Sequence, residues 1–253
     1  KVPSNQIKIY FLSAYYDAND TGDITTSDSY ESFDYCSEIP YYENIKNSDV
    51  VALAELHWNE EIALPGYVLV KQKIRKTEHK GPKISGGIGV FVKEHLQKIV
   101  RVIPNTNENS IWIKIVQENS HKNADDIYIG TYYVSPRNKC NKNTTNIFNI
   151  LNKDISTFRN KGTIIILGDL NARIGKKDDF LKPDKFDLIP DQENYDPLNR
   201  NSEDNISNIR GEELLDFCKT NDFLITNGRK IGDLFGSYTS HQWNGSSVVD
   251  YHI

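Results

Sequence analysis

The 253-residue sequence contains no methionine and only three cysteines. Cys36, Cys140 and Cys218 are odd in number and far apart, and none forms a C-x-x-C pair. Neither a disulfide framework nor a zinc site is therefore indicated, and a reducing compartment is expected. The missing methionine, at the first position as elsewhere, leads us to expect a piece of a longer polypeptide. No apolar run approaches the roughly 18 residues of a membrane span, and the start, KVPSNQIKIYF, lacks the basic-then-apolar layout of a signal peptide. A soluble intracellular protein with no membrane partner is expected. A surplus of positive charge is also lacking: the net charge is −5, which by itself argues against a polyanionic partner. What is present, 38% hydrophobic and 11% aromatic residues, suffices for a substantial core and excludes a disordered or fibrous chain.

Charge is unevenly distributed. Lys71 to Arg101 is dense in lysine and arginine, with only Glu78 and Glu94 opposing, whereas Asp178 to Asp216 is strongly acidic. The basic flank could face a phosphate backbone; a lysine-rich solvated loop explains it equally well.

The most informative stretch is Lys161 to Gly175, KGTIIILGDLNARIG. Thr163 to Leu167 is an apolar, β-branched run, which predicts a strand buried on both faces. It breaks abruptly at Gly168-Asp169-Leu170-Asn171, so a carboxylate and a carboxamide are delivered to the rim of a core. If the extended conformation continues, Asp169 and Asn171 project to the same side. An acid that accepts a proton beside an amide that donates hydrogen bonds suits attack of water on a phosphate ester. A strand that merely ends in an Asx turn accounts for the same residues.

Other segments follow the same pattern. Strands are predicted at Ile7 to Leu12, Asp49 to Glu55, Tyr67 to Val70, Ile88 to Val92, Ile111 to Val116, Ile127 to Tyr133, Phe223 to Thr226, Ser237 to Thr239 and Val248 to Tyr251. Helices are predicted at Pro40 to Asn47, from Thr144 or Thr145 to Phe158, and at Glu212 to Thr220. Tyr15 to Ser37 reads as loop, Glu118 to Asp126 as a turn, and Ser85-Gly86-Gly87-Ile88-Gly89 as a hairpin or bulge rather than a phosphate cradle, since no P-loop Lys-Ser/Thr follows. Residues 176–210 read as an acidic loop insertion within a single domain spanning 1–253. Glu55 and Asp250 place two further carboxylates on apolar strands, Glu55 at the edge of the core, where a divalent metal is the common counter-charge in phosphoryl chemistry.

In their order, DVVALAELHW, GGIGVFVK, YIGTYYVSP, IIILGDLNARIG, NIRGEELLDFCKTNDFLITNG and GSYTSHQWNGSSVVDY resemble the endonuclease/exonuclease/phosphatase superfamily. The likeness is strongest to the apurinic-like endonuclease domain of non-LTR retroelements, and it runs from about Ile7 to Ile253. The resemblance implies a four-layer α/β sandwich, two packed mixed β-sheets flanked by helices. It implies Glu55 as ligand of Mg²⁺ or Mn²⁺, Tyr133 as hydrogen-bond donor to the scissile phosphate, and Asp169 as the group that orients or deprotonates water. Asn171 would hold a phosphate oxygen, Asp250 would orient a catalytic histidine, and Thr239 would lie at the substrate groove. The reaction would be metal-assisted phosphodiester hydrolysis.

Two departures from the family pattern are visible. The asparagine that ends the family's first strand is matched by Ser13, which could serve the metal through water. The closing Ser-Asp-His segment is absent before Ile253; His252 and His241 are the nearby histidines, and each is more simply an ordinary polar strand position. Three readings follow. The first is a magnesium-dependent endonuclease nicking target DNA, nuclear, and joined in a longer chain to a reverse transcriptase. The second is a phosphatase or phosphodiesterase acting on small or lipid phosphoesters. The third is a catalytically incomplete remnant. A missing final strand also predicts an uncovered sheet edge beside Val248 to Tyr251.

Overall fold

In a computed structural model, the structure describes residues 7–13, 45–56, 63–76, 84–105, 107–117, 125–136, 147–181, 199–230, 232–243 and 245–253. The expected loop Tyr15 to Ser37, most of the helix Pro40 to Asn47, most of the turn Glu118 to Asp126, the Thr144 or Thr145 cap and residues 182–198 of the insertion lie outside them. The chain forms two units, 1–124 and 125–253.

The first unit is built on β1 (Ile9–Ser13), β2 (Val50–Ala54), β3 (Tyr67–Lys76) and β4 (Ile84–Lys93), in the spatial order β1-β2-β4-β3. β1 and β2 are parallel, and the other pairings are antiparallel, so the sheet is mixed. β2 (VVALA) is buried along its whole length, as an unbroken apolar run requires. Val51 and Leu53 on one of its faces pack with Ile45, Leu56, Leu64 and Phe91. The glycines of SGGIG lie inside β4. A Cβ on Gly87 would meet the Leu56 and Lys73 carbonyl oxygens at 2.8 and 2.9 Å, so this glycine permits close packing and is not a phosphate cradle. The expected bulge is present: from Ile74↔Gly87 to Lys76↔Ile84 the pairing advances two residues on β3 and three on β4, at Gly86 with its φ of +81°, and a second shift, between Leu69 and Lys71, puts an extra residue on β3.

β5 (Val100–Ile103) and β6 (Ser110–Ile115) form an antiparallel hairpin in the same unit. Lys73, one of the basic-flank residues, turns inward to it. Its Nζ donates to the Asn107 and Ser110 carbonyls at 2.7 and 2.8 Å and to the Asn105 side chain. Lys71, Lys98 and Arg101 are exposed.

The second unit carries β7 (Asp126–Tyr133), α1 (Ile147–Phe158), β8 (Gly162–Asp169), α2 (Ile209–Asn221), the short hairpin β9 (Ser240–Gln242) and β10 (Gly245–Ser247), and β11 (Asp250–His252). β7 and β8 are parallel, which demands a crossover, and α1 supplies it. β11 pairs antiparallel with β8. α1 buries Ile147, Phe148, Leu151, Ile155 and Phe158, the residues at helical spacing. Phe158 stacks on Tyr128 of β7 at 4.8 Å between ring centroids, and Phe148 meets Phe217 of α2 at 5.7 Å. Each unit thus carries a mixed sheet, and the helices complete the α/β class that the resemblance implies.

Three expectations are corrected here. β8 is not buried throughout: Thr163 is exposed and Ile164 and Ile165 half-buried, and full burial begins at Ile166. Residues 223–226 form no strand, and the strand expected to begin at Ser237 begins at Ser240. The outward edge of β11 is also covered, by this same chain. Thr226 donates its backbone N–H to the His252 carbonyl at 2.8 Å. The Asn227 side chain accepts from His252 N at 3.0 Å and donates to the Asp250 carbonyl at 3.1 Å. Asp250 N, together with Val249 N, donates to Thr239 Oγ1. One asparagine amide, one threonine hydroxyl and one backbone turn stand in for the neighbouring strand, so the unpaired groups that make an edge hazardous are satisfied.

Candidate active site

The β8 strand end positions the central carboxylate. Gly168 has φ of +156°, and a Cβ there would lie 2.0 Å from the Tyr132 carbonyl oxygen, so only glycine lets β7 and β8 approach this closely. Asp169 follows as the last residue of β8. It stands opposite Tyr133 across the parallel pairing and opposite Asp250 across the antiparallel one. Three residues singled out in the sequence therefore form one row across β7, β8 and β11. Directly opposed residues share a face, with Cβ atoms about 4.5–5.5 Å apart in an antiparallel pair, so Asp169 and Asp250 are neighbours on one face of the sheet. All three are nearly buried: Tyr133 is 6%, Asp169 4% and Asp250 8% exposed.

Beyond Asp169 the chain does not stay extended. Asp169 Oδ1 accepts from Asn171 N at 2.9 Å, an Asx turn, and Asn171 takes a left-handed φ of +48°. The two side chains meet because the backbone turns, not because of strand alternation: Asn171 Nδ2 donates to Asp169 Oδ1 at 2.9 Å and to the Val134 carbonyl at 2.9 Å. The turn and the polar pair are thus one arrangement. Both amide hydrogens of Asn171 are engaged, so contact with a phosphate oxygen requires one to be released.

Thr239 is tied to the backbone at the start of β11 through its hydroxyl, and so helps fix Asp250. His252 lies on that strand; burial pushes its ring pKa down, while Asp233 pushes the other way. His241 is exposed in β9, with Nδ1 2.9 Å from Ser246 Oγ and its ring edge-on to Tyr238.

Glu55 and Ser13 belong to the first unit. Ser13 is in register with Ala54, so the two residues close neighbouring parallel strands. Glu55 is half-buried and has φ of +57°, a conformation that costs energy for a non-glycine residue and that concentrates at functional positions. Among the described residues no group of three or more His, Cys, Asp or Glu side chains stands together. Magnesium, however, is commonly held by one or two carboxylates, with water and substrate phosphate completing an octahedron, and a strand-end glutamate fits that donor chemistry.

Residues that the sequence reading missed surround the turn. Arg173 forms a two-point pair with Asp204, Nε to Oδ2 at 2.8 Å and Nη2 to Oδ1 at 2.7 Å. Asp204 also accepts from Ile206 N and Val248 N. Burial drives the Asp204 pKa upward, but these hydrogen bonds outweigh it and hold the carboxyl below its ordinary range. Arg210, buried on α2, donates to the Ser135 carbonyl at 2.8 Å. Asn208 caps α2. The motif NIRG was visible in the sequence, but nothing local tied it to the GDLN segment.

No family model and no curated protein matches this chain. Among solved structures it is similar to an endonuclease/exonuclease/phosphatase family protein from Leptotrichia buccalis C-1013-b, at 12% identity and a TM-score of 0.45, covering 98% of this chain and 87% of that one. It is also similar to the human Nocturnin catalytic domain with bound sulfate, at 14% identity and a TM-score of 0.35, covering 52% of this chain and 54% of that one. A third likeness is to D. rerio TDP2 complexed with a single-strand DNA product, at 14% identity and a TM-score of 0.32, covering 64% of this chain and 60% of that one. The chain thus spans little more than half the length of the Nocturnin domain.

Proposed function

We propose that this protein is a metal-dependent phosphodiester hydrolase and, within that class, a DNA endonuclease that nicks target DNA for a retroelement. The observation that carries the reading is the row Tyr133, Asp169 and Asp250, with Asn171 bonded to Asp169 at the strand ends. Asp169, held by the Asn171 amide and N–H, orients the attacking water and accepts its proton. The Tyr133 hydroxyl donates to a phosphate oxygen, and Asn171 turns one amide hydrogen to another as charge builds on phosphorus. Asp250, its backbone fixed by Thr239, is the carboxylate that would orient a catalytic histidine in the family pattern; with that segment absent before Ile253, the leaving oxygen would take its proton from water. Glu55, with Ser13 through water, would hold Mg²⁺ or Mn²⁺, which when bound neutralises charge on the phosphate oxygens.

Exposed Lys71, Lys98 and Arg101 support a DNA backbone as the partner. The net charge of −5 favours the second reading, a phosphatase or phosphodiesterase on small or lipid phosphoesters. A substrate panel with Mg²⁺ tests the proposal: supercoiled plasmid, an inositol phosphate and a sphingolipid phosphoester. Nicked plasmid is expected. Hydrolysis of a small ester without nicking supports the second reading, and no hydrolysis of any of them supports a catalytically incomplete remnant. A reading frame that continues into a reverse transcriptase would support the retroelement assignment and a nuclear site of action.

A further inference from the structure

The left-handed turn at Asn171 is gripped from two sides. Asp169 holds it from within the strand, and Asn208 holds it from the N-terminus of α2. Asn208 Oδ1 accepts from Gly211 N at 2.7 Å, the ordinary cap bond, and also from Arg173 N at 3.1 Å. Asn208 Nδ2 donates to the Asn171 carbonyl at 3.4 Å, and Asn208 N donates to the Arg173 carbonyl at 2.9 Å. One residue therefore engages both backbone groups of Arg173 and the carbonyl of Asn171. Gly211 makes this approach possible, because a Cβ there would lie 1.8 Å from the Arg173 carbonyl oxygen. Serine, threonine and aspartate cap helices about as well as asparagine, but none offers the same pairing of acceptor and amide donor.

We propose that Asn208 is a positioning residue for Asn171, fixing the turn that sets the Asp169–Asn171 geometry; its catalytic consequence rests on the hydrolase reading above. The cap and the grip are separable. In Asn208→Asp the carboxylate still accepts from Gly211 N, and an anion suits a helix N-terminus, but the donor to Asn171 becomes an acceptor facing a carbonyl. Asn208→Ala loses both functions.

The experiment measures amide hydrogen exchange and steady-state plasmid nicking with Mg²⁺ on the wild-type chain and both variants. For Asn208→Asp, exchange at Asn171 and Arg173 rises about tenfold, while Leu214 to Cys218 of α2 keep their protection. The kcat falls by about tenfold to a hundredfold with KM unchanged, the mark of misplaced groups rather than lost binding. Unaltered exchange at Asn171 and Arg173 overturns the proposal, as does loss of protection in α2 of equal size, which would make Asn208 a cap alone. If the wild-type chain nicks nothing, the hydrolase reading fails and the exchange comparison still decides the role of Asn208.

Discussion

Replacing Asp179 should destabilise the second unit severely and loosen the β11 edge. Asp179 is fully buried, and its carboxylate accepts from both terminal nitrogens of Arg229 at 2.6 Å and from Ile225 N at 2.7 Å. Arg229 is nearly as deep, its side chain 4% exposed; it also donates to the Ile225 carbonyl at 2.7 Å and lies over the Phe180 ring. Together they clamp residues 225–229, the turn whose Thr226 and Asn227 close β11 beside Asp250. Asp179→Asn keeps the shape but leaves a buried guanidinium without its counter-charge, which costs about 3–5 kcal/mol. A domain has about 5–15 kcal/mol in all, and about 2–4 °C of Tm follows each kcal/mol at this size, so Tm should drop by about 6–20 °C. Urea unfolding and a thermal scan followed by circular dichroism measure it. The double variant Asp179→Leu with Arg229→Met removes both charges and should recover part of the loss, because uncompensated burial dominates; the Ile225 N–H and carbonyl, left without these partners, keep it below the wild type. A single-variant cost under about 1 kcal/mol, or a double variant as unstable as the single, would refute the reasoning.

Three further outcomes follow from particular contacts. Burial raises the Asp179 pKa, but the Arg229 and Ile225 hydrogen bonds outweigh it, so the folded value is depressed below the ordinary 3.8; its stabilisation is full above about pH 4 and is lost as pH falls through the depressed value, which a series of urea midpoints from pH 7 to pH 2 reads directly. Gly168→Ala places a methyl against the Tyr132 carbonyl, parts β7 from β8 and moves Asp169; a loss of about 1–3 kcal/mol in urea unfolding is expected, and unchanged stability would contradict the close approach. Asn227→Ala strips two hydrogen bonds from β11, lowering stability by about 1–3 kcal/mol and exposing an edge, so light scattering should show concentration-dependent association absent from the wild type.

The pattern of what was legible has a physical basis. Periodicity and composition report on an element's own neighbours, and that is where the reading succeeded: the β-branched run ending at Gly168-Asp169, the buried face of α1, and the apolar β2 leading to Glu55. The row of Tyr133, Asp169 and Asp250 depends on register, which local pattern does not encode; the resemblance implied only that the three serve one site. The contacts that escaped are made by polar side chains, to backbone or to one another, across long separations. Arg173 to Asp204 spans 31 residues, Asn208 to Arg173 35, and Asn227 to Asp250 23, and none leaves a periodic trace. Lys73 shows the reverse error: in sequence it belonged to a basic flank, yet its ammonium is committed to the β5–β6 hairpin. The Asx turn at Asp169 was visible as an ordinary alternative to a catalytic pair, and the structure shows that the turn is what brings the pair together.

The central claim is that Asp169, set by Asn171, activates water for phosphodiester cleavage. Its most direct test compares supercoiled plasmid incubated with Mg²⁺ and either the wild-type chain or Asp169→Ala, both shown to be folded by circular dichroism. Nicked circles are expected from the wild type, with a loss of about a hundredfold or more in the variant, as when a general base is removed. No nicking by the wild type, or nicking at the same rate by Asp169→Ala, would contradict it.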